Sequence, residues 1–186
     1  MKEFINYINE YIPVSKEIEE SIYEVAELKS INKGEILLKE GKVCKQTYFF
    51  IDGCARNYLF QKGKDITHWI YASNILFTSW GSYVTQKPST EYLETIDNCK
   101  AVVISYDNWQ QLYKLHPELE RFGRLIIEEQ MALIDEFYKG YYFLSAKEKY
   151  ELLLKGYPNI TQTANLGHIA SMLGISQETL SRIRGK

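Results

Sequence analysis

The sequence predicts an α+β fold: an antiparallel β-roll, then one long helix, then a small helical domain that closes on a helix-turn-helix. Three observations carry this prediction. Short apolar or alternating runs separated by turn signals occupy residues 30–106. After Asp107 the apolar period lengthens to that of helices. The final stretch, residues 166–186, LGHIASMLGISQETLSRIRGK, reads as helix, turn and helix.

Size and composition bound the rest. With 186 residues, 45% of them hydrophobic and only four prolines, the chain is a folded one of one generous domain or two small ones. Met1–Tyr11 has no basic region followed by an apolar run, and no stretch reaches the roughly eighteen apolar residues of a membrane span. A cytoplasmic location without a membrane partner is therefore expected. Cys44, Cys54 and Cys99 are odd in number and lack CxxC spacing, so buried thiols are expected rather than disulfides or a zinc site. Cys44 and Cys54, near a strand pair, are the candidates for redox chemistry, with inert burial as the default. The formal charge of −2 is unevenly spread: residues 140–186 hold six Lys/Arg against three acids, leaving a mildly basic tail on an acidic body.

The elements follow in order. Ser15 opens an amphipathic helix running to Leu28, with Ile18, Ile22 and Val25 on one face. Strands are expected over Glu35–Lys39, Thr47–Ile51, Ala55–Gln61, Asp65–Tyr71, Glu91–Ile96 and Lys100–Ser105, rich in Ile, Val, Tyr, Phe and Thr. A short helix ends near Leu115, and His116-Pro117 opens a longer one reaching about Tyr138, with Pro117 at its first position. Leu119, Phe122, Ile126, Leu133, Ile134 and Phe137 fall near heptad spacing along it, interrupted at Glu129-Gln130. That stripe reads as a homodimer interface or as a face packed on the roll, and its breadth permits both. Gly140 reads as a hinge, and Ser145 with Glu148 as a capping box opening a helix to about Lys155. The division expected is a roll sensor domain over 1–115, a dimerisation helix over 116–139 and a helix-turn-helix domain over 140–186.

Within the C-terminal motif the first helix buries Leu166, Ile169, Ala170 and Leu173. Gly174 takes a left-handed turn, Ser176 caps the second helix, and Leu180 and Ile183 face inward. Gln177, Glu178, Ser181, Arg182 and Arg184 are left outward. Arg can pair with guanine, Glu accept from cytosine and Gln pair with adenine, which makes Gln177, Glu178 and Arg182 the candidate base readers of double-stranded DNA. Ser176, Thr179, Ser181, Arg184 and Lys186 are the candidates for its phosphate backbone. Two such modules related by a dyad would reach successive major grooves about 34 Å apart.

At these residues the chain resembles the Crp/Fnr superfamily of transcription regulators, along nearly its whole length. The resemblance rests on Lys33-Gly34-Glu35-Ile36-Leu37 with Gly41, on Tyr48-Phe49-Phe50-Ile51-Asp52-Gly53 with Arg56, on Ala101–Tyr106, and most specifically on Ser176–Arg182, SQETLSR. It implies a cyclic-nucleotide-binding-like jelly roll, a homodimer, a DNA-reading helix in which Glu178, Thr179 and Arg182 match the family, and RNA polymerase as a candidate partner. Gln177 stands where many relatives have Arg. The winged hairpin is abbreviated to Tyr157–Thr163.

Relatives that bind cyclic nucleotides use a Gly-Glu pair and then an Arg-Ser/Thr pair whose guanidinium neutralises the phosphate. Ser73–Leu93 contains neither; Pro88-Ser89-Thr90 keeps only the hydroxyl. A buried phosphodiester would lack its counter-charge, so no response to cyclic nucleotides is expected. Trp69, Tyr71, Phe77, Trp80 and Tyr83, with Ser79 and Ser82, form either the wall of a pocket for another small-molecule effector or simply roll core. The four-cysteine set of iron–sulfur relatives is missing. His68, His116 and His168 lie far apart without HxH or HxxxH spacing, and no phosphate loop or GxSxG elbow occurs, so no metal, cofactor or catalytic site is expected. A protein-interaction module that has lost DNA binding is the rival to a DNA-binding regulator.

Overall fold

The computed structural model describes residues 1–185, and Lys186 lies outside them. Two short helices, α1 (Lys2–Asn9) and α2 (Lys16–Val25), precede eight strands. These are β1 (Glu27–Ile31), β2 (Ile36–Leu38), β3 (Gln46–Asp52), β4 (Ala55–Gln61), β5 (Lys64–Tyr71), β6 (Leu76–Phe77), β7 (Tyr92–Thr95) and β8 (Cys99–Ser105), with α3 (Trp80–Thr85) between β6 and β7. They form two antiparallel four-stranded sheets, β1-β8-β3-β6 and β2-β7-β4-β5, which is the expected roll. The β4–β5 hairpin turns through Lys62 and Gly63, both at positive φ (52° and 74°), the backbone of a type I′ turn.

All six expected strands are present, and two more were not anticipated. The helix predicted to reach Leu28 stops at Val25 because Ala26 turns extended, and Glu27–Ile31 pairs along β8 instead. β6 is only two residues long, too short to leave a periodic signal.

Beyond the roll come α4 (Tyr106–Leu115) and α5 (Pro117–Phe143), the latter with Pro117 in its first turn. Leu119, Phe122 and Ile126 of α5 are buried in the roll's own core beside Phe4, Phe49 and Trp109. The indole N–H of Trp109 is satisfied there by the Thr47 hydroxyl at 2.7 Å. The helix does not hinge at Gly140. It continues to Phe143, and Gly140 is a buried position where an added Cβ would meet Leu152 at 3.0 Å, so glycine serves close packing rather than bending. The break falls at Leu144, and Ser145 with Glu148 forms the expected capping box of α6 (Ala146–Gly156).

The chain ends in α7 (Ile160–Thr163), α8 (Leu166–Leu173) and α9 (Gln177–Arg184). The abbreviated wing expected over Tyr157–Thr163 is a turn followed by the single-turn α7; no strand lies between α6 and α8 among the described residues. A second apolar core joins these helices to the outside of the roll, with Cys54, Ile70 and Ile96 packed among Leu153, Ile160, Ile169, Ala170, Leu173 and Leu180. β5 is the edge of its sheet, and α8 covers that edge: the Ser171 hydroxyl accepts from the Thr67 amide at 2.9 Å and donates to the Thr67 carbonyl at 3.2 Å.

Gly53, at φ +89°, is the tightest turn of the roll: an added Cβ would lie 2.6 Å from both the Asn98 carbonyl oxygen and the Cys99 sulfur. Gly53→Ala is expected to cost about 2–4 kcal/mol, read as a lowered urea midpoint with unchanged m-value.

Candidate nucleic-acid interface

The α8–turn–α9 unit is built by local rules. Asn165 caps α8 by accepting from the His168 amide at 2.8 Å. Gly174 ends the helix in the left-handed region (φ 65°, ψ 34°), and the Ile175 amide returns to the Ala170 carbonyl at 3.0 Å. The end of α5 packs on this turn, so that a Cβ at position 174 would sit 2.7 Å from the Tyr141 hydroxyl and displace that exposed ring. Ser176 caps α9 by accepting from the Thr179 amide at 3.1 Å. Leu180 is fully buried, which rotates Gln177, Glu178 and Arg182 outward.

All three candidate base readers are therefore exposed on one short helix. Arg182 and Arg184 carry no ion pair among the described residues, so neither guanidinium is committed within the chain. Glu178 is held below the usual carboxylate range by hydrogen bonds from its own backbone amide and from Ser176 at the helix start. Ser181 is exposed, Thr179 is half-buried, and the Ser176 and Thr179 hydroxyls lie 3.1 Å apart. Of the backbone-contact candidates, Lys186 falls outside the described residues.

The aromatic residues of the roll pack mostly on one another. Tyr71 stacks on Phe77 with centroids 4.4 Å apart, Phe77 meets Phe50 edge-on at 4.7 Å, and Tyr83 packs on Tyr106 at 5.2 Å. Ser82 accepts from the Cys44 amide and donates to the Lys87 carbonyl. Trp80 is half-buried on the short α3. Trp69 lies between the two cores, 6.5 Å from the Tyr71 ring centroid and 5.1 Å from that of Phe137 on α5. Of the two readings open for these residues, pocket wall or roll core, the packing is that of a core.

Just after Pro88-Ser89-Thr90 stands an acidic side chain, Glu91. Glu91 Oε1 accepts from the Ser79 hydroxyl at 2.6 Å and from the Asn57 amide at 2.8 Å, and Oε2 pairs with His68. Sequence reasoning missed Glu91, whose importance shows only once β4, β5 and α3 are brought together around it. Arg56 is spent elsewhere, on Asp65 at 2.6 Å and Glu94 at 2.8 Å. Burial pushes the Cys54 thiol up to about 11 and the Cys99 thiol up to about 12, so neither offers a thiolate at neutral pH. Cys54 donates instead to the Thr163 carbonyl at 3.2 Å, tying the roll to α7.

The stripe that reads as a dimer interface or as a face packed on the roll divides along the helix. Leu119, Phe122 and Ile126 are buried within the chain, and Leu133 and Phe137 are half-buried facing the C-terminal helices. The large apolar side chains that α5 leaves exposed are Ile127, Met131, Ile134, Tyr138, Tyr141, Tyr142 and Phe143, of which Ile127, Met131, Ile134, Tyr138 and Tyr142 recur at three- and four-residue spacing. Among the described residues no group of three or more His, Cys, Asp or Glu side chains could hold a metal ion, and no helix is long and apolar enough to cross a membrane.

Residues 28–116 match the cyclic nucleotide-binding domain family. The sequence matches no protein of curated function. Among solved structures the chain is similar to FixK2 from Bradyrhizobium japonicum, at 16% identity and a TM-score of 0.73 over 87% of this chain and 83% of that one. It is similar to a CooA mutant from Carboxydothermus hydrogenoformans, at 16% identity and a TM-score of 0.66 over 96% and 81%. A third likeness is to the c-di-GMP-responsive global regulator CLP of Xanthomonas campestris, at 15% identity and a TM-score of 0.64 over 92% and 90%. These likenesses extend well beyond the matched domain and establish the fold of the roll, the long helix and the terminal helices.

His168, half-buried on α8 beside the roll, is held below its ordinary value of 6.5, first by burial and then by the Arg56 guanidinium, against opposing pulls from Asp65 and Glu94. Its Nδ1 is buried without a partner, so a second proton there would be uncompensated. Between the folded value and 6.5 the unfolded chain binds the extra proton, so this contribution to stability is complete above 6.5 and is lost as pH falls through the folded value. The urea midpoint should fall as pH drops from 6.5 to the folded value, and His168→Gln should flatten that part of the profile.

Proposed function

We propose that this chain is a sequence-specific DNA-binding transcription regulator of the Crp/Fnr type that grips a two-fold operator as a homodimer without a cyclic nucleotide. One observation carries the reading: α9 presents Gln177, Glu178 and Arg182 on an exposed face, backed by a buried Leu180 and a capped first turn, with its arginines unpaired within the chain. In the division of labour proposed, residues 1–115 form the regulatory roll, α5 the dimer contact and residues beyond it the reading domain.

The absence of cyclic-nucleotide control follows from the acid at the roll's centre. Glu91 would repel a phosphodiester, and Tyr71 and Phe77 are buried and stacked on each other, leaving no space between them. The dimer contact proposed is the exposed stripe Ile127, Met131, Ile134, Tyr138 and Tyr142. Five large side chains along one helix face form an apolar patch of the kind that marks an interface.

Selection of bound duplexes from a randomised pool tests the reading, with an inverted repeat whose half-sites lie about one helical turn apart as the expected product. Arg182→Ala should cost about 1–3 kcal/mol on that operator and relax the choice at one base pair, whereas Arg184→Ala should weaken all sequences alike. Affinity should fall steeply with salt; a flat dependence would point to a protein-binding surface instead. Met131→Glu with Ile134→Glu should shift the protein to monomer in sedimentation and lower operator affinity by at least about tenfold, because one module alone loses the second half-site.

A further inference from the structure

A cavity of about 210 Å³ lies where the roll, the end of α5 and the C-terminal helices meet. Its walls are apolar and come from three sources: Trp69 of β5, Leu133 and Phe137 of α5, and Leu152, Tyr157 and Met172 of the terminal helices. For scale, an apolar cavity of about 150 Å³ accepts one benzene ring, so this one has room for a ring and a short arm. Nothing in the DNA reading uses it.

The charges at its lining decide what that arm carries. Lys149, half-buried, holds its ammonium 4.5 Å from the Tyr141 ring centroid and has no carboxylate partner among the described residues. Lys155 and Glu136, both exposed, also line the cavity and offset each other. The balance is one uncompensated positive charge, which suits a monoanion. Burial raises the Tyr157 phenol to about 12, so it stays protonated and can donate a hydrogen bond.

We propose that this cavity is an effector site for a small amphipathic monoanion, an aryl or alkyl carboxylate whose apolar body lies against Trp69 and Phe137 and whose head meets Lys149. Because the same pocket is walled by β5 and by α6 and α8, an occupant bridges the roll and the terminal helices and favours the arrangement seen here over any in which they part. Its effect on operator affinity rests on the DNA-binding reading; its binding does not.

The test uses the full-length protein without DNA and three isosteric probes: 3-phenylpropionate, 3-phenylpropanol and 3-phenylpropylamine. Calorimetry should give one 3-phenylpropionate per chain with a sub-millimolar Kd. The alcohol should bind about tenfold more weakly and the amine not measurably. Lys149→Ala should bring the carboxylate down to the level of the alcohol, and Leu152→Trp, which fills the cavity, should abolish binding of both. On the wild-type protein, hydrogen exchange should slow in α6 and α8 when 3-phenylpropionate is present. No binding of the carboxylate, equal binding of the amine, or exchange protection confined to the roll would each overturn the proposal. Operator affinity is then measured with and without the probe: loss of DNA binding in both conditions, with calorimetric binding intact, would fault the DNA reading and leave the site standing.

Discussion

The arrangement of the molecule depends on one short contact, that between Ser171 of α8 and Thr67 at the open edge of β5. A sheet edge offers N–H and C=O groups that must find partners when covered. Here a single hydroxyl answers both, accepting from one and donating to the other. Each such bond is worth only about 0.5–1.5 kcal/mol net, so the bonds supply register while the apolar cluster of Ile70, Ile96, Ile169 and Leu173 supplies most of the adhesion. The position of α9 relative to the roll therefore follows from an interface that is well placed and not strongly locked. A modest ligand or charge at its margin is enough to matter, which is why His168 and the neighbouring cavity bear on the behaviour of a helix they do not belong to.

The roll has kept its architecture and changed its contents. A nucleotide-binding interior needs space and a cation; this one has stacked rings and Glu91, whose carboxyl group is held by Ser79, Asn57 and His68. Ser79 and Asn57 are hydrogen-bond donors suited to an acidic group. An open volume lies behind β5, where Trp69 meets Phe137.

How much of this was legible in the sequence depends on the range of the interactions involved. The six expected strands came through because Gly, Asn and Asp turns punctuate them. β1 did not, since ELKSI lies at a sheet edge and is largely polar, and only its pairing with β8 makes it a strand. The helix-turn-helix was readable almost residue by residue, because a cap at Ser176, a left-handed Gly174 and a small Ala170 are local signals. The faces of α5 were not. Each residue turns the helix by about 100°, so Ile126 in the core and Ile127 in solvent are neighbours in sequence and far apart in environment. Two apolar stripes on one helix give the same spacing, and only the fold says which is already covered. The aromatic cluster failed for the same reason: whether Trp69 joins Tyr71 or Phe137 is decided by partners some sixty residues away.

These features converge on α5. At about 1.5 Å per residue its 27 residues span about 40 Å, and they do three things in turn along that length. The first turns are anchored in the roll by Leu119, Phe122 and Ile126; the middle carries the exposed stripe; the end walls the cavity and presses Tyr141 against Gly174. A helix is stiff over such a distance, so its far end cannot shift without moving the turn that orients α9. The Tyr141 ring lies directly against Gly174, with no side chain between them. On the reading proposed, the spacing of two reading helices in a dimer would be set where two copies of α5 meet and adjusted where each α5 ends. The two adjustable surfaces lie on different faces of one rigid element, so pairing and effector binding can be coupled without any change inside the roll.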